Sequence, residues 1–252
     1  MPLPDYTQTE ATGTKGVTLV TGAGRGLGRV LATFLAGQGH DIVITARTET
    51  ELEEVAASLR ETGAKVAALP GDITDSAHRT RLLRETSMMG GLALLVNNAS
   101  DLGETPRPEL AKASLHSFRA TLETNLVAPL ALIQEALPQL EHTRGLIVNI
   151  TSDASQVGYE RWGTYGSSKA GLDLISKTLA VELRPQGVSV VSVDPGDVRT
   201  QMHQDAFPNE DISDRPLPEI TLPFWAWLFS QDPLRISGMR YQAQGTLWEI
   251  PA

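Results

Sequence analysis

The segment Val17-Thr-Leu-Val-Thr-Gly-Ala-Gly-Arg-Gly-Leu-Gly28 joins an apolar run to a glycine-rich turn, and Leu27, Val30, Leu31, Phe34 and Leu35 then recur at helical spacing. The run Val17 to Val20 therefore reads as a strand and the residues after the turn as a helix with one buried face. Glycines at positions 22, 24, 26 and 28 are costly for a mere connection, because each gives up more backbone entropy than any other residue. Between a strand and a helix they have a use. They let the backbone approach a pyrophosphate, while the helix N-terminus supplies N–H groups and the positive end of its dipole. The expected unit is a dinucleotide-binding strand-turn-helix, and a glycine-rich turn without a ligand is the alternative.

Outward from this unit the pattern repeats. Asp41 to Thr45 reads as a second strand, and Thr48 with Glu51 has capping-box spacing ahead of Leu52, Val55, Ala56 and Leu59. Val66 to Leu69, Leu92 to Val96, Leu146 to Ile150 and Val188 to Val193 are short apolar runs of the kind found in strands buried on both faces. Helical stretches over about Leu115 to Leu137 and Gly166 to Arg184 separate the last three and are long enough for right-handed crossovers. Beyond Val193 the pattern loosens as far as Pro218, followed by an aromatic segment, Phe224 to Phe229, and a seventh strand near Met239 to Ala243. These runs predict an α/β fold: a doubly wound parallel sheet (Rossmann fold) of about seven strands with helices on both faces. Residues 1–15 are expected to form a polar tail and residues 16–252 one domain, with a substrate loop at about 197–229.

Composition narrows the chemistry. The 252 residues are 41% hydrophobic and 20% charged, with 22 Gly and 15 Pro, as in an ordinary globular chain. The net charge of −9 repels nucleic-acid phosphates and anionic membrane surfaces, so neither is an expected partner. Without cysteine there is no disulfide, thiolate metal site or cysteine nucleophile. The first fifteen residues lack the basic start and apolar run of a signal peptide, and a cytoplasmic location is expected. The histidines have no metal-ligand spacing, so no catalytic metal is expected; His40, His78, His116 and His142 read as surface residues. His203 is the exception, because it falls in the loop where substrate selection is expected.

Two further clusters carry chemistry. The second strand ends Thr45-Ala46-Arg47, where an NAD site would place an acid on the ribose 2′-hydroxyl; a guanidinium instead favours a 2′-phosphate, hence NADP(H), and Arg25 adds a second positive charge. Taken singly, either arginine reads equally well as a solvated surface residue. Tyr165 and Lys169 lie four apart at a helix start and so share a face, where an ammonium should pull the phenol below its ordinary value near 10 and suit it to proton transfer. Ser152 precedes Tyr165 by thirteen residues at a predicted strand end.

The TGxxxGxG spacing of Gly22, Gly26 and Gly28, together with Ser152, Tyr165 and Lys169, resembles the short-chain dehydrogenase/reductase family in its single-domain branch, over about residues 16–244. The resemblance implies hydride transfer between a nicotinamide and a ketone, aldehyde or secondary alcohol. In that scheme Tyr165 exchanges the proton, Lys169 holds the nicotinamide ribose, Ser152 binds the reacting oxygen and Asn125 completes a catalytic tetrad. It also implies cofactor contacts at Leu27, at Asp72 and Ile73 near the adenine, at Asn98 and Ala99, and at Pro195, Gly196, Val198 and Thr200. Asp72 reads equally as a turn former. Ser100 stands where the family has Gly and narrows the mouth of the site, and Ala93 stands where the family has an acid. Asp153, Tyr159, Trp162 and His203 are expected to shape the substrate pocket, and Trp225 and Trp227 to serve as core or interface aromatics. A non-enzymatic NADP-binding sensor that keeps the fold is the rival reading. The helix from Gly166 carries a second apolar stripe, Ala170, Leu174 and Val181, which predicts a homodimer or homotetramer.

Pro129 interrupts a helical pattern and has no N–H for the carbonyl of Asn125, at a local cost of about 3 kcal/mol. In the family this carbonyl holds a water on the proton path from the lysine, so Pro129 either keeps it available or is a kink that serves packing alone.

Overall fold

A computed structural model describes residues 16–245 and 247–250; the tail expected over 1–15 lies outside the described residues. Each apolar run of the sequence forms a strand: β1 (Val17–Thr21), β2 (Asp41–Ala46), β3 (Val66–Pro70), β4 (Leu92–Asn97), β5 (Leu146–Ile150), β6 (Ser189–Asp194) and β7 (Arg240–Gln242). They make one seven-stranded sheet in the order β3-β2-β1-β4-β5-β6-β7, with every pair parallel. The order reverses between β1 and β4, and at that switch point the carboxyl ends of the strands open a crevice for a ligand. The Rossmann fold read from the sequence is the fold found.

The crossovers are α1 (Gly26–Gly37), α2 (Glu49–Arg60), α3 (Ser76–Met88), α4 (Leu115–Leu122), α5 (Ala128–Thr143) and α6 (Gly163–Glu182), followed by short α7 (Gln201–Ala206), α8 (Leu222–Phe229) and α9 (Pro233–Ile236). One core cluster holds Leu31, Leu35, Leu52 and Leu59 of α1 and α2 together with Phe224, Trp225 and Leu228 of α8. The other packs Leu132, Ile133 and Leu140 of α5 and Leu82 of α3 against the opposite face. Trp225 is fully buried and its Nε1 donates to Thr221 Oγ1 at 2.9 Å; Phe224 and Trp225 belong to the core, each contributing on the order of 1.5–3 kcal/mol through burial, while Trp227 and Phe229 pack against it partly buried.

Several expectations need correction. β3 is an edge strand and only partly buried, not buried on both faces, because nothing pairs beyond it. Thr48 caps α2 by position but makes no side-chain capping bond. His78 is not a surface residue: it is fully buried, with Nε2 2.7 Å from Thr45 Oγ1 and Nδ1 3.1 Å from Arg81. The single helix read over Leu115 to Leu137 is two helices joined by a π-helical turn, Glu123–Val127, in which Ala128 N–H reaches back to the carbonyl of Glu123. Pro129 follows directly at the start of α5, so the missing donor is absorbed by a widened turn around Asn125.

Candidate active site

The glycine turn folds tightly because its residues can. Gly22 has φ +67°, and a Cβ there would stand 2.8 Å from the Cα of Ala99; a Cβ on Gly28 would fall 2.3 Å from the carbonyl oxygen of Gly22. Asn98 holds this turn against β4, its amide donating to the carbonyls of Thr21 at 2.9 Å and Gly22 at 3.1 Å. The side chain of Asn98 is thus spent on the loop. The helix behind the turn begins at Gly26 and points its N-terminus into a cleft of about 800 Å³.

Of the cofactor positions singled out in the sequence, all except Gly28 and Gly196 line this cleft. Gly28 instead provides the close approach behind the turn, and Gly196 lines an adjoining cavity. Arg47 lies exposed at the end of β2 and makes no ion pair among the described residues, whereas Arg25 pairs with Glu51 at 3.8 Å. Glu51 therefore offsets one of the two charges expected to meet a 2′-phosphate. Asp72 accepts from the N–H of Thr74 at 2.9 Å and from its hydroxyl at 2.8 Å, so its turn-forming role is realised at the edge of the cleft. Leu217 and Pro218 also line the cleft; they carry no periodic signal, since they follow the irregular stretch after β6.

The second cavity, about 330 Å³, is lined by Ser152 and by all four residues expected in the substrate pocket, Asp153, Tyr159, Trp162 and His203. Tyr165 lines both spaces, and its residue is 9% exposed. It stands in the first turn of α6, edge-on to Trp162 at 5.7 Å between ring centroids. Trp162 in turn meets Phe207 at 6.0 Å, and the Arg107 guanidinium lies 3.5 Å from the Trp162 ring centroid. One turn along α6, Lys169 is 2% exposed and donates through Nζ to the carbonyl of Ile150 at 2.8 Å, with Nζ 5.5 Å from the Tyr165 ring centroid.

The electrostatics differ from the sequence expectation. Burial pushes the Tyr165 phenol well above its ordinary value, and the charges of Asp194 and Asp153 add to the rise, while the neighbouring hydroxyls of Ser100 and Ser152 oppose it. Burial also brings Lys169 down to about 8, opposed by Asp173. Desolvation of both groups outweighs the ammonium's pull on the phenol that the spacing alone suggested.

Asn125 is fully buried and touches neither cavity. Its Nδ2 donates to the carbonyl of Asp101 at 2.8 Å and to Ser168 Oγ at 2.9 Å, and its Oδ1 accepts from Asp101 N–H at 2.7 Å and Ser100 Oγ at 3.2 Å. The side chain ties the segment after β4 to α6, and Ser100 joins that network. Ser152 follows β5 and donates to Asp153 Oδ1 at 3.0 Å, while the other Asp153 oxygen accepts from Tyr159 Oη at 2.8 Å.

One residue was missed from the sequence altogether. Arg240 of β7 donates to the carbonyl of Ser152 at 2.8 Å, to Asp194 at 3.1 Å and to Asp173 at 3.1 Å. The arginine side chain is 15% exposed, and Asp173 and Asp194 are buried. A single guanidinium thus ties together the Ser152 loop, the helix bearing Tyr165 and Lys169, and the strand leading to Pro195-Gly196. In the sequence it is a lone arginine in a short terminal strand, with no spacing to mark it.

Among the described residues there is no group of three or more His, Asp or Glu that could hold a metal ion, and no helix is long and apolar enough to cross a membrane. The family model for short chain dehydrogenases matches residues 16–211. The chain is 32% identical over 207 residues to the 3-oxoacyl-(acyl-carrier-protein) reductase FabG of Staphylococcus aureus, covering 81% of this chain and 82% of that protein. A short chain dehydrogenase structure from Pseudomonas syringae superposes with a TM-score of 0.87 at 30% identity, covering 96% of this chain and 100% of that one. Another, from Shigella flexneri and complexed with NADP, gives a TM-score of 0.85 at 27% identity, with 94% and 100% covered. With its glycine turn, its Ser-Tyr-Lys arrangement and these relatives, the chain belongs to the short-chain dehydrogenase/reductase family of oxidoreductases.

Proposed function

We propose that the protein is an NADP(H)-dependent oxidoreductase that interconverts a ketone or aldehyde and an alcohol. The observation that carries this reading is the position of Tyr165 where the two cavities meet, with Ser152 beside the smaller space and Lys169 behind. The cleft fits a dinucleotide: a helix N-terminus faces it, its turn is closed at Gly22 and Gly28, where a Cβ would meet backbone, and Arg47 stands exposed at the end of β2. The NADP complex of the Shigella flexneri relative supports the same choice. When bound, the nicotinamide supplies or accepts the hydride. The chain supplies the rest. Ser152 holds the reacting oxygen, Tyr165 gives it a proton in reduction and removes one in oxidation, and Lys169, as a cation, favours the tyrosinate that remains. A phenol held high by burial is protonated at neutral pH, as the acid in carbonyl reduction must be.

On α6 the exposed Leu174 and Val181, 66% and 76% accessible, are apolar surface that a second copy of the chain would cover in a homodimer or homotetramer. Light scattering at micromolar concentration checks this, and a monomer would contradict it. The activity is tested by following NADPH oxidation with a panel of ketones, diketones and quinones. Turnover of any carbonyl that vanishes in Tyr165→Phe is expected; tight NADPH binding without turnover across the panel would instead mark a sensor.

A further inference from the structure

The cavity beside Ser152 carries charges that proton transfer by Tyr165 does not use. Its charged lining is Asp153, Asp194 and Asp197, and no Lys or Arg lines it among the described residues. Asp194 is matched by Arg240. Asp153 has no cation as partner among the described residues: its two oxygens accept only the hydroxyls of Ser152 and Tyr159. Asp197 lies 3.9 Å from His203 Nδ1, and burial lowers the His203 pKa, so that ring is neutral at neutral pH and leaves the carboxylate uncompensated. His203 Nε2 is itself buried with no partner. The rings of Tyr159, Trp162 and Phe207 line the same space.

This lining is unfavourable for a plain ketone. Asp153 Oδ1 is 3.0 Å from Ser152 Oγ, so a carboxylate lies within roughly 6 Å of any oxygen that the serine holds at hydrogen-bond distance. Reduction builds negative charge on that oxygen, and Asp153 opposes it. A cation on the substrate reverses the sign: it meets Asp153 and Asp197 and shields the developing alkoxide beside the Tyr159 ring, whereas the Trp162 and Phe207 rings already hold the Arg107 guanidinium, 3.5 and 5.1 Å from their centroids. The pair Asp153–Tyr159 is also no packing device, since both residues are exposed.

We propose that the substrate is an amino ketone or amino alcohol, with a protonated nitrogen within about three bonds of the reacting carbon, recognised by Asp153 and Asp197. The proposal rests on the oxidoreductase reading and names the substrate class of that site.

The test compares β-aminopropiophenone with its neutral isostere butyrophenone and with anionic β-benzoylpropionate, using NADPH at neutral pH and low salt. The cation should exceed the isostere at least tenfold in kcat/KM, with the anion slowest, and added salt should narrow the gap. In Asp153→Asn the cation-to-isostere ratio should fall to within about threefold; Asp197→Asn, at an exposed position, should lower it less and serves if the first variant folds poorly. Tryptophan-fluorescence titration of the NADPH complex with the same pair gives affinities that do not depend on turnover. Equal kcat/KM or equal affinity for cation and isostere, or a ratio unchanged in both variants, overturns the proposal. Reduction of butyrophenone without any preference for the cation would do so while leaving the oxidoreductase reading intact. Ammonium-selective binding with no carbonyl reduced would overturn the oxidoreductase reading and keep the cation site.

Discussion

Replacing Arg240 with Met removes the one guanidinium among the described residues that reaches the carbonyl of Ser152, Asp173 and Asp194 together. Both carboxylates are buried, and a carboxylate deprived of its partner in such a place costs about 3–5 kcal/mol. The two losses do not simply add, because burial already raises the Asp194 pKa and a proton can relieve part of the charge. A total near 3–5 kcal/mol corresponds to a fall in Tm of roughly 6–20 °C for a chain of this size. The pH dependence has a definite sign. A carboxylate whose pKa is raised in the folded state binds protons that the unfolded chain releases, so stability falls as pH rises. The deficit of Arg240→Met should therefore be larger at pH 8 than at pH 5. Urea denaturation of both proteins at the two pH values measures it, and Arg240→Lys, which keeps the charge but not the fork, should lie between. Steady-state kinetics should show a kcat loss of more than tenfold, as the Ser152 loop loses its anchor. A loss of stability under about 1 kcal/mol, or a deficit independent of pH, would refute the electrostatic account of this cluster.

Cofactor choice should reverse in Ala46→Asp combined with Arg47→Ala, which supplies an acid for the 2′-hydroxyl and removes the phosphate clamp; wild-type NADH binding as tight as NADPH in calorimetry would contradict the charge argument. Lys169 falls to about 8 from 10.5, a differential of about 3 kcal/mol against the buried charge, so Lys169→Met should be inactive yet more stable near neutral pH. Because the unfolded chain binds the extra proton between about 8 and 10.5, wild-type stability should gain on that variant across this range, and turnover should fall as pH passes about 8. Pro129→Ala should keep NADPH affinity and be as stable or more so; a fall in turnover with a changed solvent isotope effect would assign the π-turn to proton relay, and unchanged turnover would assign it to packing.

The parallel sheet was legible because each strand is a short apolar run closed by a turn signal, and the glycine spacing fixed the first crossover. The edge position of β3 was not, since Val66 to Leu69 is as apolar as the interior strands and only its lack of an outer neighbour exposes it. The site divides in the same way. Ser152, Tyr165 and Lys169 are marked by local spacing, and the structure brings them to one place. Arg240 meets its partners 46, 67 and 88 residues away along the chain, a relation only the folded sheet creates. The side chain of Asn125 is recognisable by motif, yet its commitment to Asp101 and Ser168 depends on how α6 packs beside the π-turn. The direction of the Tyr165 shift is not legible in the sequence, because spacing reports a neighbour's charge and says nothing of burial.

The most direct test of the proposed chemistry is transfer of label from NADPH deuterated at the hydride position to the carbon of a carbonyl substrate, read by mass spectrometry of the alcohol. Wild-type protein should deliver one deuterium to carbon at a rate that Tyr165→Phe lowers by at least a thousandfold with NADPH affinity retained, roughly 4 kcal/mol of transition-state stabilisation. Deuterium transfer undiminished in Tyr165→Phe, or alcohol formed without the label, would contradict it.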